Sequence, residues 1–522
     1  MLLSQAVRYR WSCGCVAKLR CPCSQRLHDL HALWYSHLQQ DGIQKVMKTL
    51  FPSIRQIARA FLIVLLFGST LPTQGLKPVW RPDEPLTESS GDARSGYAFA
   101  RSVTTDGAGR IHVIWEDTRS GTSQIFYRRS ADKGPAWVEE HRLSGISGSA
   151  LHPSIAVSGT TVFAVWEHSV ADQSATVFFT RSTNAGSTWA VPVQIAEGVQ
   201  ASLAAVGTAV HLVWVSERKG EPAVYYRRSV DGGLTWESER RLTEASRESW
   251  TPSIAAYEAT AVVAYVDTRD GNAEVYLRRS GDAGQTWAKE VRITKNRMAS
   301  GSPSVAVMGQ TVHLVWADQK ANGGNLDDAE RQLDEIMRLM GLSFTSESIR
   351  KTQANVFDTD AELARIGEKR QKVQAAVPIW NARGGNSLQI GAMLQEVDRL
   401  VTVAAQEWDL YYRRSEDGGS VWEKEARMTT TPGASWRPSV GTSGETTQLV
   451  WIDKRDGVPA VYHSASLDNG RTWGSQTRLT DAPGVADNPS LSVNFRGTFI
   501  VWSDSRDGRS QVYYKGLMTA EP

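Results

Sequence analysis

The chain has 522 residues, 41% of them hydrophobic and 22% charged, with a formal net charge of +2. That balance excludes a protein held to nucleic acid or to an anionic membrane by bulk electrostatics. All four cysteines (Cys13, Cys15, Cys21, Cys23) lie in the first 23 residues, which excludes disulfide and thiol chemistry from everything after them.

Residues 1–46 are rich in Cys, Arg and His without an apolar period. Their C-x-C-x5-C-x-C spacing departs from the usual zinc patterns, and neither a metal nor another cofactor is expected. Met47 opens a basic lead, Ala60 to Phe67 is an unbroken apolar run, and Thr73-Gln74-Gly75 offers small residues for cleavage. This layout predicts a secretory signal peptide over 47–75, with 1–46 an unstructured extension upstream of the true start. The mature protein, 76–522, is then secreted or periplasmic. The apolar run is far short of the roughly 20 residues of a spanning helix, so no transmembrane span is expected after cleavage. An uncleaved anchor is the alternative.

From about residue 80 a repeat takes over. Its most regular part is an octapeptide, S-x-D-x-G-x-x-W, beginning at Ser130, Ser182, Ser229, Ser280, Ser415 and Ser466. A full unit reads Thr251-Pro252-Ser253-Ile254-Ala255, then Ala261 to Tyr265, then Glu274 to Ser280, then the octapeptide and Val291-Arg292-Ile293-Thr294. Each piece is short, β-branched or aromatic, and bounded by Gly, Asp, Pro or Ser, the pattern of strands and turns. Four short antiparallel strands per unit, A to D, make a propeller blade.

An aromatic ends strand B at Trp115, Trp166, Trp214, Tyr265, Trp316, Trp451 and Trp502, at intervals of 48 to 51 residues except for 135 between Trp316 and Trp451. Seven A-B-C sets therefore face six octapeptides. Pro85-Leu86-Thr87-Glu88 matches the strand-D text Arg241-Leu242-Thr243-Glu244, so an N-terminal strand is expected to complete the last blade and close the ring. The fold class is all-β, a seven-bladed propeller, with six blades and an unpaired segment as the alternative. The long interval is an insertion over 319–406 in the fifth blade. Leu326, Ala329, Leu333, Ile336, Met337 and Met340, and later Leu394, Val397, Leu400 and Val401, recur at helical spacing. Asp360 to Val377 is a middle helix expected to stop at Pro378. The insertion is either a bundle packing on itself or a surface for a protein partner.

The third octapeptide position is Asp132, Asn184, Asp231, Asp282, Asp417 or Asp468. A catalytic group is needed once, whereas this motif is written six times. The Asp or Asn is expected to accept N–H bonds within its own turn while the Trp packs between strands. The octapeptide is the Asp-box, or BNR repeat, and over nearly all of residues 80–515 outside the insertion the chain resembles the sialidase-like propellers. That resemblance implies a glycan or glycoprotein ligand, bound on the face away from the Asp-boxes.

Alternating strand direction puts the B–C and D–A turns on that opposite face. The B–C turns share a D-x-R text: Asp117 with Arg119, Asp267 with Arg269, Asp453 with Arg455, and Asp504 with Arg506. These are the candidate ligand-binding residues, because guanidinium matches a sugar carboxylate bidentately. Arg455, Arg506 and Arg119 sit on neighbouring blades of a closed ring. The competing reading is that each arginine pairs with an aspartate of its own or the next turn. Sialidases also carry a Phe/Tyr-Arg-Ile-Pro motif, a Tyr–Glu pair and an Asp acid/base. The chain lacks that motif; Trp80-Arg81-Pro82, Trp436-Arg437-Pro438 and Phe99-Ala100-Arg101 match it only superficially, and no catalytic residue is assigned. Two functions stay open: recognition of a glycan or protein without catalysis, or an exo-sialidase or other glycoside hydrolase.

Overall fold

A computed structural model describes residues 80–518 apart from 98–99, 132–135, 146, 172, 219–220, 244–247, 297, 320–325, 343–358, 405–407 and 432. The expected extension and signal peptide, the cysteines, and Asp132 lie outside the described residues.

The strands form seven antiparallel sheets, one per blade. In blade 4 the order is Ser249–Tyr257, Thr260–Asp267, Glu274–Ser280 and Val291–Arg292. Strand B is apolar from Ala261 to Val266 because both of its faces are covered by neighbouring blades; all eight of its residues are buried. Hydrophobic cores accordingly lie between blades. Val213, Val215, Val224 and Tyr226 of blade 3 pack with Ile254, Val263, Tyr265 and Tyr276 of blade 4. In blade 4, strand D has only two residues, which limits the exposed edge open to further pairing.

Closure occurs as the repeat count predicts. Blade 7 takes its strands A, B and C from Ala486–Asn494, Gly497–Asp504 and Gln511–Met518, and its strand D is the N-terminal Glu84–Pro85. Glu84 pairs with Tyr514 and Pro85 with Tyr513, and the Leu86 amide donates to the Val512 carbonyl at 2.8 Å. Asp83 bridges two cations of the last blade, Arg506 at 2.8 Å and Lys515 at 2.7 Å.

Blade 1 differs from the other six. Its inner strand is broken into Ala93–Ser95 and Val103–Thr105, both paired to strand B, Ile111–Asp117. Gly96, Tyr97, Ala100 and Arg101 stand between them outside the named strands.

Three helices fill the long interval in blade 5: α1 (Leu326–Met340), α2 (Thr359–Ala382) and α3 (Ser387–Ala404). Ala329, Leu333, Ile336, Val373, Ile390 and Val397 form a core made of helix residues alone. The middle helix does not stop at Pro378 but runs through it to Ala382. Proline removes one backbone hydrogen bond, and Val377 and Trp380 on either side pack against the helical core.

Candidate functional site

Each of the five fully described octapeptides is a closed turn. Ser229 Oγ donates to Asp231 Oδ1 at 2.8 Å, and the same oxygen accepts from the Thr235 amide at 2.9 Å. Asp282, Asp417 and Asp468 repeat these bonds, and Asn184 replaces them with its amide oxygen, 2.9 Å from the Thr188 amide. The Thr286 hydroxyl and amide hold the Asp282 carboxyl down to about 2. The turn also locks one blade to the previous one: Trp287 meets the Tyr226 ring edge-on at 4.9 Å, and Trp473 meets Tyr412 at 5.1 Å.

On the opposite face, the four D-x-R arginines do not converge. Each backbone amide donates to its own aspartate at 2.9 Å. Each guanidinium then turns back onto the same carboxylate: 2.6 Å for Arg119–Asp117 and Arg506–Asp504, 2.5 Å for Arg269–Asp267 and Arg455–Asp453. Arg119 and Arg269 also bind Glu140 and Glu290. The planar faces lie over Phe126, Tyr276, Tyr462 and Tyr513 at 4.2 to 4.7 Å. Three of the aspartates accept from the buried indole as well, as in Trp451 to Asp453 at 2.9 Å and Trp502 to Asp504 at 3.0 Å.

What does converge lies further in, where the inner strands start. Six of them carry a bulge at which a non-glycine residue takes a left-handed φ of 47° to 56°: His152, Gln200, Thr251, Ser302, Arg437 and Asn488. A bulge re-aims its side chain and frees an amide that needs an acceptor. The preceding blade supplies it in three cases. Glu116 accepts from the His152 amide at 3.0 Å, Glu167 from the Gln200 amide at 2.5 Å, and the Gln200 side chain from the Thr251 amide at 2.7 Å.

Over this ring sits the loop that breaks the inner strand of blade 1. Tyr97 packs edge-on against the His152 ring, with centroids 4.4 Å apart. Arg437 reaches the Tyr97 ring from blade 6, two blades away, with its guanidinium carbon 5.8 Å from the centroid; Asp487 of blade 7 anchors it. A Glu167 carboxylate oxygen also lies 2.9 Å from His152 Nδ1, an ion pair when the imidazole is protonated. Burial pushes the Glu116 carboxyl above the usual carboxylate range against the pull of His152 and Arg94, and the Glu167 charge pushes the same way as burial. The mouth therefore holds an aromatic platform, a cation, an imidazole and a carboxyl with raised proton affinity. Such a set binds polyhydroxylated, negatively charged ligands and can exchange protons with them.

None of these residues was a candidate on sequence grounds, although a signal was present. The residue after the strand-B aromatic is Val215, Val266, Ala317, Ile452 or Ser503 in five blades but Glu116 and Glu167 in blades 1 and 2. Departures from the repeat mark the mouth.

No protein-family model matches the chain, and no curated protein is similar in sequence. Among solved structures, it is similar to a polysaccharide lyase of family PL25, an ulvan lyase bound to -[GlcA(1-4)Rha3S]-. That likeness has 8% identity and a TM-score of 0.51, and covers 84% of this chain and 96% of that one. The Hadza microbial sialidase Hz136 matches at 14% identity and a TM-score of 0.38, over 69% of this chain and 63% of that one. A Trypanosoma rangeli sialidase in complex with the inhibitor DANA matches at 9% identity and 0.39, over 84% and 58%. These likenesses are of fold. No helix among the described residues is long and apolar enough to cross a membrane.

Proposed function

We propose that this chain is an exported, glycan-recognising propeller that binds an acidic saccharide at the mouth opposite the octapeptide turns. The observation that carries this reading is the meeting of Tyr97 from a loop with Glu116, His152, Glu167 and Arg437 from four strands, in three blades altogether. An ulvan lyase of the same fold is bound to a saccharide containing glucuronate, which supports this class of ligand. On this reading Arg119, Arg269, Arg455 and Arg506, with Asp117, Asp267, Asp453 and Asp504, stiffen the rim, and Tyr97 and Arg437 touch the sugar. The helical insertion offers a surface for a protein partner or glycoprotein next to the bound glycan.

Calorimetric titration of the full chain with uronate-containing oligosaccharides tests the proposal. Arg437→Ala and Tyr97→Ala are expected to weaken binding at least tenfold, about 1.4 kcal/mol, while Arg455→Ala leaves it within twofold. Equal loss in Arg455→Ala would return the ligand to the D-x-R turns.

A second reading is favoured by the raised carboxyl of Glu116 beside the Glu167–His152 pair: the same mouth cleaves the saccharide it binds, as an exo-sialidase, another glycoside hydrolase or a lyase. Incubation with a fluorogenic sialoside, and with uronate polymers while unsaturated products are followed by absorbance, separates these chemistries from binding alone.

A further inference from the structure

The inner strands carry one serine per blade at the same register: Ser102, Ser154, Ser202, Ser253, Ser304, Ser439 and Ser490. Four of these hydroxyls accept an inner-strand amide of the next blade, as in Ser490 with the Ser102 amide at 2.9 Å and Ser304 with the Val440 amide at 3.1 Å. They form a seam around the central channel. The residue before the serine is Pro153, Ala201, Pro252, Pro303, Pro438 or Pro489 in six blades, none with a side-chain donor. In blade 1 it is Arg101.

Arg101 does not point back to its own blade. Its Nη2 donates to the Val305 carbonyl of blade 5 at 3.3 Å. Blades 2, 3 and 4 lie between the two on one side of the ring and blades 6 and 7 on the other, so the contact crosses the channel. The Arg101 carbonyl accepts from the Ile155 amide of blade 2, which fixes its backbone at the level of the serines. The side chain is half-buried, and removal from water alone lowers its proton affinity. No carboxylate is paired with it among the described residues, whereas each D-x-R arginine has one or two. A guanidinium stays charged throughout the accessible pH range, and a partly desolvated charge without a counter-charge favours an anion beside it. One long bond to a carbonyl uses one of its five donors.

We propose that Arg101 is the seat of a small-anion site in the central channel, taking a monovalent inorganic anion of halide size as the counter-charge of its guanidinium. The anion would bind between Arg101 and the inner-strand edges of the facing blades. This site is independent of the saccharide reading, since it rests on the channel contact and not on the mouth.

The test uses the full chain at fixed ionic strength, with sodium gluconate exchanged for sodium bromide. At a bromide concentration 100 times its Kd, the melting temperature of the wild type is expected to rise by about 3 °C. Arg101→Met is expected to lose that rise. Crystals of the wild type grown in bromide should show an anomalous peak beside the Arg101 guanidinium, a readout that does not depend on the variant folding. The same rise in Arg101→Met, or no bromide peak there, overturns the proposal. A rise with glucuronate but none with bromide also overturns it, and would assign Arg101 to the carboxylate of a sugar.

Discussion

Asp318 occupies the position in blade 5 that Asp117, Asp267, Asp453 and Asp504 occupy in their blades, but the chain departs into the insertion where those turns place an arginine. Its carboxyl is buried and accepts the Trp316 indole N–H at 2.8 Å. Burial pushes it up to about 7, against the hydrogen bonds from Ser300 and Trp316, with Glu425 and Glu274 adding to the rise. A carboxyl raised this far binds its proton more tightly in the folded state than in the unfolded one. Its contribution is complete below pH ~4 and is lost as pH rises to about 7. A shift from 3.8 to about 7 corresponds to about 4 kcal/mol at ~1.4 kcal/mol per pH unit. Asp318→Asn keeps the acceptor for Trp316 and removes the charge. It should stabilise the protein by up to that amount at pH 8 and leave it unchanged at pH 4. For a body of roughly 400 residues, whose unfolding entropy is about 0.9 kcal/mol per degree, the melting temperature at pH 8 rises by about 4 °C. Asp453→Asn is the control. Burial pushes that carboxyl up, but Arg455 and Trp451 more than reverse it, so the variant should destabilise at pH 8. The measurement is a thermal melt of both variants and wild type from pH 4 to 8. Loss of stability in Asp318→Asn at pH 8 would refute the reasoning, because the ionised carboxyl must then have found a cation.

Three further outcomes follow from the geometry. Gly284 has φ +81°, and a Cβ there would overlap the Tyr226 hydroxyl of the preceding blade, so Gly284→Ala should lower stability by roughly 3 kcal/mol in urea titrations. Gly281→Ala, in the same turn with open space around it, should change little. Asp83→Ala leaves Arg506 and Lys515 without their shared carboxylate and should cost about 3 kcal/mol, with amide exchange accelerated first at Glu84, Leu86 and Gln511–Met518. Because the Glu116 carboxyl is raised by burial, it regains its proton earlier as pH falls and repels an acidic saccharide less. Binding should therefore tighten toward acid pH, and Glu116→Gln should flatten that profile in titrations repeated across pH.

The blade count, the ring closure and the helical insertion were legible because each is a matter of period. Seven strand-B aromatics, six octapeptides and a stray strand-D text favour a seven-bladed closed ring over six blades with a spare segment, and a change from period two to period 3.6 marks the helices. The helix through Pro378 was not legible, since it rests on packing by Val377 and Trp380 that no local pattern shows. The mouth was harder to read for a related reason. Periodicity draws the eye to what recurs, and the D-x-R turns recur in four blades because there they tie down the B–C turn, in blades 6 and 7 together with the strand-B indole. Tyr97, Glu116, His152 and Arg437 are separated by up to 340 positions and meet only because the ring closes between blades 7 and 1. Each stands where a blade departs from the common text: an inner strand broken between Ser95 and Val103, a glutamate where five blades put a neutral side chain, an arginine or histidine at a bulge. In a repeat protein the shared residues build the scaffold, and a site that must be made once has to be written in the exceptions. Arg101 is the clearest of these, a cation at a register that six other blades fill with proline or alanine.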